Sequence, residues 1–291
     1  VVKSRSEAVV VIDDATVEYP PSRGNGRFRA LEGITLSIAP GELVGMVGET
    51  GAGKSTLARL LAGFTGKGAP DGSPEIVGGS VTVLGRELRK LKPRERANLA
   101  LRVGYLPQHA GRYLTPGSTV AENVAAPVLE RDRRFDRRQL GGMVAELIDA
   151  VQLPLGAMGR YPHELSGGQR QRVAIARSLI LEPTLWIADE PTGGVDVTVR
   201  GPVLDTLLEL QSERQFSALI IGYDSAVASR VTDRLAVLQR GQLIGLGRIE
   251  DVLTAPEHPY LRGLATEFEI TTGPIQLPTH ATATGRDDAG R

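Results

Sequence analysis

The chain contains no cysteine. Disulfides, thiolate metal sites, cysteine-ligated iron–sulfur clusters and a cysteine nucleophile are therefore excluded. Lysine is scarce, with only Lys3, Lys54, Lys67, Lys90 and Lys92 against 29 arginines. Net charge is absent, because 34 basic residues balance 34 acidic ones. That balance removes the global electrostatic footprint of a nucleic-acid binder and leaves room only for local patches. No run approaches the roughly 18 to 20 consecutive apolar residues of a membrane span. Val1–Glu7 is polar and lacks the apolar stretch of a signal peptide. The sequence thus predicts a protein that is cytosolic or sits on a membrane without crossing it. With 291 residues, 41% of them hydrophobic and 23% charged, the composition is that of a folded chain with a sizeable core.

Val9–Tyr19 and Ala30–Ile38 read as strands with partial alternation, joined by a turn-rich segment around Pro20-Pro21-Ser22-Arg23-Gly24. Leu43–Val47 is a short apolar run suited to a buried parallel strand, and a helix is expected from about Lys54 to Gly63. Gly66–Gly79 reads as a loop and Val81–Leu84 as another strand. Helix is expected from about Ser118 to Leu153, interrupted by the charged run Arg131–Arg138, and again over Gln169–Leu181. Leu185–Ala188 and Ala218–Ile221 have the character of buried strands. Leu235–Leu238 and Leu243–Leu246 read as a hairpin around Arg240-Gly241. The tail from about Thr271 is polar and expected to be mobile.

Gly48-Glu49-Thr50-Gly51-Ala52-Gly53-Lys54-Ser55 fits the phosphate-loop pattern G-x-x-x-x-G-K-[ST] in full, and Thr56 follows it. The glycines let backbone N–H groups approach phosphate oxygens, and the helix N-terminus adds partial positive charge. Lys54 is placed to reach the β- and γ-phosphates and Ser55 to ligand Mg²⁺. Asp189 closes the apolar run Leu185-Trp186-Ile187-Ala188, where it could hold the same ion. Glu190 follows, and need not share that role because strand neighbours alternate faces. It is the candidate for orienting or deprotonating an attacking water.

Leu165-Ser166-Gly167-Gly168-Gln169-Arg170-Gln171-Arg172 resembles the signature motif of ATP-binding-cassette (ABC) ATPases. The resemblance implies an α/β fold: a RecA-like phosphate-loop core with a mainly parallel sheet, an N-terminal antiparallel subdomain and an inserted helical subdomain at about 109–165. The cassette would span 8–250 and a C-terminal extension 251–291. It implies ATP and Mg²⁺ as ligands. It further implies that Ser166, Gly167, Gly168 and Gln169 cover the γ-phosphate held by a second cassette, so that two cassettes enclose two ATPs. Gln108, in Tyr105-Leu106-Pro107-Gln108, sits at the place of the family's Q-loop glutamine, which senses Mg²⁺ and the γ-phosphate. Tyr19 sits where an aromatic stacks on adenine, and Asp196 falls at the D-loop. Asp196-Val197-Thr198-Val199, Tyr161-Pro162-His163-Glu164 and Pro256-Glu257-His258-Pro259-Tyr260-Leu261 resemble the oligopeptide/dipeptide branch of ABC importers. Partners implied are a second cassette, two transmembrane permease subunits and an extracytoplasmic substrate-binding protein, with no nucleic acid, and peripheral attachment at the cytoplasmic face of the cell membrane. A soluble ABC protein acting on ribosomes or DNA is the remote alternative. His163 and His258, each between prolines and turns, are expected to pack loops and not to bind metal.

Three departures from the family pattern stand out. Tyr223 occupies the place of the switch histidine, offering one neutral O–H on a longer, stiffer arm. The D-loop reads Gly193-Gly194-Val195-Asp196, with two glycines that loosen it. The cysteine cluster that holds an iron–sulfur centre in many relatives' C-terminal extensions cannot exist here. Two readings follow. Either the chain forms one half of an asymmetric pair, slow at its own site and joined to a distinct cassette, or Glu190 suffices and Tyr223 is tolerated.

Overall fold

Two sheets organise the chain. The structure, a computed structural model, describes residues 8–21, 26–66, 69–222, 231–232, 234–254 and 256–271. The first sheet is antiparallel. It consists of β1 (Val10–Tyr19), β2 (Phe28–Ile38), β4 (Glu75–Val83) and the short β5 (Arg86–Glu87), in the order β2-β1-β4-β5. The second has six strands in the order β10-β9-β3-β8-β7-β6. Its members are β3 (Leu43–Gly48), β6 (Val103–Leu106), β7 (Leu185–Asp189), β8 (Ser217–Ile221), β9 (Arg234–Gln239) and β10 (Gln242–Arg248). Every pairing in it is parallel except the β9–β10 hairpin. The fold is therefore the expected α/β arrangement of a mainly parallel sheet with an antiparallel sheet from the N-terminal part of the chain.

The central parallel strands are apolar runs because both their faces are covered. Leu185 and Ile187 of β7 join a core with β1, β2, β4 and the helix α1 (Lys54–Leu61). Trp186 and Ala188, on the opposite face, join the helical side. That side contains α3 (Val120–Arg131), α4 (Arg137–Ala150), α5 (Gly167–Leu179) and α6 (Val197–Arg214). A third, smaller core holds Val47, Leu235 and Val237 against Leu261, Leu264 and Phe268. Those last residues belong to the C-terminal helix Pro259–Thr271, which follows the short helix Ile249–Leu253.

Helix boundaries follow their caps. Thr119 accepts from the Glu122 backbone at 3.2 Å, while Glu122 accepts from the Thr119 backbone at 2.7 Å, a reciprocal box that starts α3. Asp136 accepts from the Gln139 backbone at 2.7 Å and starts α4. The charged run at 131–138 is thus the turn and cap between two helices. Thr119→Ala should lower the free energy of unfolding by about 1 kcal/mol, measured as a shift in urea midpoint. No shift would mean that the cap contributes nothing.

Three parts of the fold differ from the sequence reading. Glu75–Gly79 is strand, not loop, because Glu75, Ile76 and Gly78 pair with Glu18, Val17 and Thr16 of β1. Pairing with a formed neighbour overrides the weak propensity of glycine. Second, Val103–Leu106 is the edge strand of the parallel sheet, set by pairing with Leu185–Ala188, and α2 (Pro93–Ala100) precedes it. Third, α6 is a helix of 18 residues although Gly201 and Pro202 interrupt its sequence. Tertiary burial of Val203, Leu204, Leu207 and Leu210 holds it. Residues 272–291 lie outside the described part. Among the described residues no helix is long and apolar enough to cross a membrane.

Candidate functional site

The carboxyl ends of β3, β7 and β6 lie at one edge of the parallel sheet, where α/β folds place their ligands. The phosphate-loop and strand-end residues sit at that edge. Gly48 is the last residue of β3 and Lys54 the first of α1, so residues 49–53 make the turn between them. Gly53 has φ 106°, and a Cβ there would come within 2.7 Å of the Ala30 carbonyl oxygen, so only glycine fits this approach. Lys54 is 5% exposed. Its Nζ donates to the carbonyls of Gly48 at 2.6 Å and Glu49 at 2.8 Å, folding the side chain over its own loop. Burial holds the ammonium below its ordinary pKa, against the opposing pull of Asp189, Glu190 and Glu49.

Parity along β7 aims Asp189. Leu185 and Ile187 face the core that contains α1, and Asp189 shares their face. Its carboxylate, 2% exposed, lies near the Ser55 hydroxyl, which favours its charged form. Burial raises the Asp189 pKa and nearby Glu190 adds to the rise, while Ser55, Lys54 and His109 oppose it. A buried carboxylate beside a hydroxyl, with its charge penalised by burial, is a donor set that suits a hard divalent cation. The loop's lysine and the strand-end acid, 135 positions apart in sequence, therefore share one site.

Glu190 lies beyond the strand. It adopts φ 53°, a left-handed conformation uncommon for a residue with a side chain. Its N–H donates to the Ile221 carbonyl at 2.8 Å, and its own carbonyl accepts from Gly193 at 3.0 Å. Strand alternation therefore does not orient Glu190; the turn does. Gln108 lies two residues past β6, beside the end of β7, and is half-buried. Tyr19 ends β1, and its hydroxyl is 3.2 Å from the Thr56 hydroxyl on α1. Tyr223 lies outside the described residues.

The signature segment opens α5. Ser166 caps α5, accepting from the Gln169 backbone at 3.2 Å while the Gln169 side chain accepts from the Ser166 backbone at 2.9 Å. Ser166 and Gly167 are exposed. Among the described residues no side-chain bond joins the motif to the phosphate loop. A Cβ on Gly168 would come within 2.9 Å of the Gly194 carbonyl oxygen, so the signature helix rests closely on the segment before α6. Asp196 caps α6 and accepts from the Thr198 N–H at 3.0 Å and hydroxyl at 2.8 Å, which lowers its pKa.

Sequence reasoning missed three participants. Gln171 is 3% exposed. Its Oε1 accepts from the Gly111 N–H at 3.1 Å, and its Nε2 lies 3.4 Å from the carbonyls of both Glu190 and Pro191. The signal was available, because Gln171 falls in the buried stripe with Ala174 and Ile175. His109, beside Gln108, contributes to the field at Asp189. Gln239 donates to Glu49 at 2.9 Å and ties β9 to the phosphate loop. His163 and His258, expected to pack loops, have partners nearby: His163 stacks on Tyr161 at 5.7 Å between ring centroids, and His258 Nδ1 accepts from the Tyr260 backbone at 3.2 Å.

Residues 31–193 match the family model described as ABC transporter. The oligopeptide transport ATP-binding protein OppF of Escherichia coli (strain K12) is 36% identical over 243 residues, covering 84% of this chain and 70% of that protein. The protein of the same name from Salmonella typhimurium is 35% identical over 271 residues, covering 91% and 78%. Among solved structures, a dimeric post-hydrolysis state of the ATP-binding cassette MJ0796 bound to ADP and Pi is similar, with TM-score 0.73 and 26% identity. That likeness covers 82% of this chain and 98% of the other.

Proposed function

Because this chain belongs to the ABC transporter family, whose cassettes bind ATP with Mg²⁺, we propose that it is the ATP-hydrolysing subunit of an importer for peptides or similar small solutes. The burial of Lys54 and Asp189 on the packed elements α1 and β7 carries this reading, because it brings the phosphate loop and the strand-end carboxylate into one site. The names of the two OppF relatives, and the length over which they align, support the peptide class of cargo.

In this reading the N–H groups of residues 49–54 and the Lys54 ammonium hold the phosphates. Lys54 exchanges its carbonyl partners for phosphate oxygens when nucleotide enters. Ser55, Asp189 and Gln108 would hold Mg²⁺, which supplies charge neutralisation of the phosphates. Tyr19 and Thr56 border the nucleotide, with the Tyr19 ring against adenine. Glu190 orients or deprotonates the attacking water. Ser166, Gly167, Gly168 and Gln169 complete the site of a second cassette, with Asp196 beside them. Closing two cassettes on ATP, and reopening them after hydrolysis, would drive two permease subunits between access states. The helical part at about 109–165 offers the permease surface. Where that part meets β6, near Gln108, a groove of about 390 Å³ is lined by Phe64, Tyr105, Pro107, Tyr113 and Leu114. An extracytoplasmic binding protein would deliver the solute, and the chain would sit on the cytoplasmic face of the membrane.

A second reading is favoured by Tyr223 and the glycines of the D-loop. The chain's own site would turn over slowly while its signature completes the better site of a distinct partner. In the purified transporter, Glu190→Gln tests both readings. A loss of ATP turnover of about 10²-fold or more is expected if this site hydrolyses. A loss much smaller than that from the same change in the partner cassette would favour the asymmetric pair. Failure of the chain to co-purify with membrane permeases would sink the transport assignment.

A further inference from the structure

We infer that Gln171 is a positioning residue that fixes the Glu190 turn to the segment after Gln108, an inference that rests on the role proposed for Glu190. Gln171 follows the signature on α5 and is buried although it carries a polar amide. A buried amide needs partners, and any nearby carbonyl could supply one. Gln171 instead divides its two ends between two segments. Its oxygen takes the N–H of Gly111, three residues beyond Gln108. Its nitrogen faces the carbonyls of Glu190 and Pro191, both at 3.4 Å. Those two contacts are long for N–H···O bonds, leaving room to tighten as a catalytic arrangement closes.

The Glu190 turn needs such support. Its φ of 53° is a sparsely populated conformation that persists only where surroundings impose it. The Glu190 N–H is tied to β8 through Ile221, and its carbonyl to Gly193 within the same turn. Gln171 is the bond from the helical side, reaching Glu190 from α5 while also holding Gly111. Gly111 itself packs tightly on α5, since a Cβ there would lie 2.7 Å from the Gln171 backbone nitrogen. A shift of either segment is thus transmitted through one amide to the backbone that aims the carboxylate. Gln171 touches none of Lys54, Ser55 or Asp189 through a hydrogen bond, so its loss acts on the geometry of hydrolysis and not on nucleotide affinity.

Gln171→Glu keeps the acceptor for Gly111 and removes the donor to Glu190 and Pro191. Gln171→Met removes both ends at similar volume and serves if the first variant folds poorly. In the assembled transporter, Glu190→Gln defines the share of turnover that belongs to this site. Gln171→Glu should remove at least nine-tenths of that share, as a misplacement near 1 Å can cost about 10²-fold, while MgATP affinity stays within about twofold. In the full-length chain, amide exchange should accelerate in segment 190–195 and stay protected in 109–114. For Gln171→Met both segments should accelerate. Retained turnover, a parallel loss of MgATP affinity, or unchanged exchange in 190–195 would each overturn the inference. Should Glu190→Gln remove no turnover, the functional reading of Glu190 falls, and amide exchange alone decides whether Gln171 holds the turn.

Discussion

Lys54→Met should reduce ATP turnover of the assembled transporter by about 10²- to 10³-fold, the scale for removing one preorganised charge-stabilising donor. Methionine matches lysine in length and apolar stem, so the buried volume is kept while the charge is lost. Lys54 and Asp189 are the charged residues among the buried ones described, and Glu190 and Glu49 add negative potential nearby. Without the ammonium, the phosphates of ATP would meet these carboxylates with no buried cation from the loop to offset them. The carbonyls of Gly48 and Glu49 would also lose their donor. Their positions shape the loop, so affinity for MgATP should fall together with turnover. Arginine is no substitute, because its planar fork is larger and cannot repeat a point-charge contact to two carbonyls in a buried space. Turnover within threefold of the parent in Lys54→Met would refute the assignment of the phosphate site. The reaction is read as phosphate release at saturating MgATP, with binding followed separately by a fluorescent nucleotide.

Trp186→Ala should lower the free energy of unfolding by about 3–5 kcal/mol, the range for truncating a large buried aromatic. Trp186 is 1% exposed on the face of β7 opposite Asp189. Its ring meets Phe216 edge-on at 6.3 Å and 81°, and its Nε1–H donates to the Ser178 hydroxyl at 2.9 Å. Alanine would leave a cavity between the sheet and α5, and would strand the Ser178 hydroxyl without its donor. Trp186→Phe keeps much of the volume and loses the hydrogen bond, so a smaller cost of about 1 kcal/mol is expected. The difference between the two variants separates cavity from hydrogen bond. Urea unfolding followed by circular dichroism measures both. A loss below 1 kcal/mol for alanine would show that α5 and β7 close around the missing ring, and that the sheet is less rigidly held from the helical side than its packing implies. Since β7 carries Asp189 at its end, that outcome would also weaken the view of β7 as a rigid mount for the site.

Much of the site was legible because its chemistry is local. The phosphate-loop pattern lies within eight consecutive residues, and its glycines and lysine answer to backbone approach and charge. Asp189 was legible as the end of an apolar run. Glu190 was legible as a residue but not in its geometry. Alternation between strand faces predicts an orientation, yet the strand ends at Asp189 and a left-handed turn, tied to Ile221, takes over. The Glu75–Gly79 strand and the edge strand Val103–Leu106 were illegible for a common reason. Each is too short or too glycine-rich to declare itself, and each exists because a partner strand supplies the hydrogen bonds. The helix α6 was hidden by Gly201 and Pro202, although its buried stripe at Val203, Leu204, Leu207 and Leu210 keeps helical spacing.

The sequence by itself determined the candidate nucleotide site. A glycine-rich turn with lysine and serine at fixed spacing, followed by a strand-end aspartate, can be read without coordinates because the spacing along the backbone is the mechanism. It also showed one segment that resembles the signature motif and no cysteine. Only the tertiary structure decided which distant residues meet. It brought the phosphate-loop helix beside Asp189, rested the signature helix on the segment before Asp196, and ran Gln171 between Gly111 and the Glu190 turn. Those contacts depend on sheet order and helix packing. Both are set by the burial of apolar faces across the whole domain and not by any one segment's own pattern.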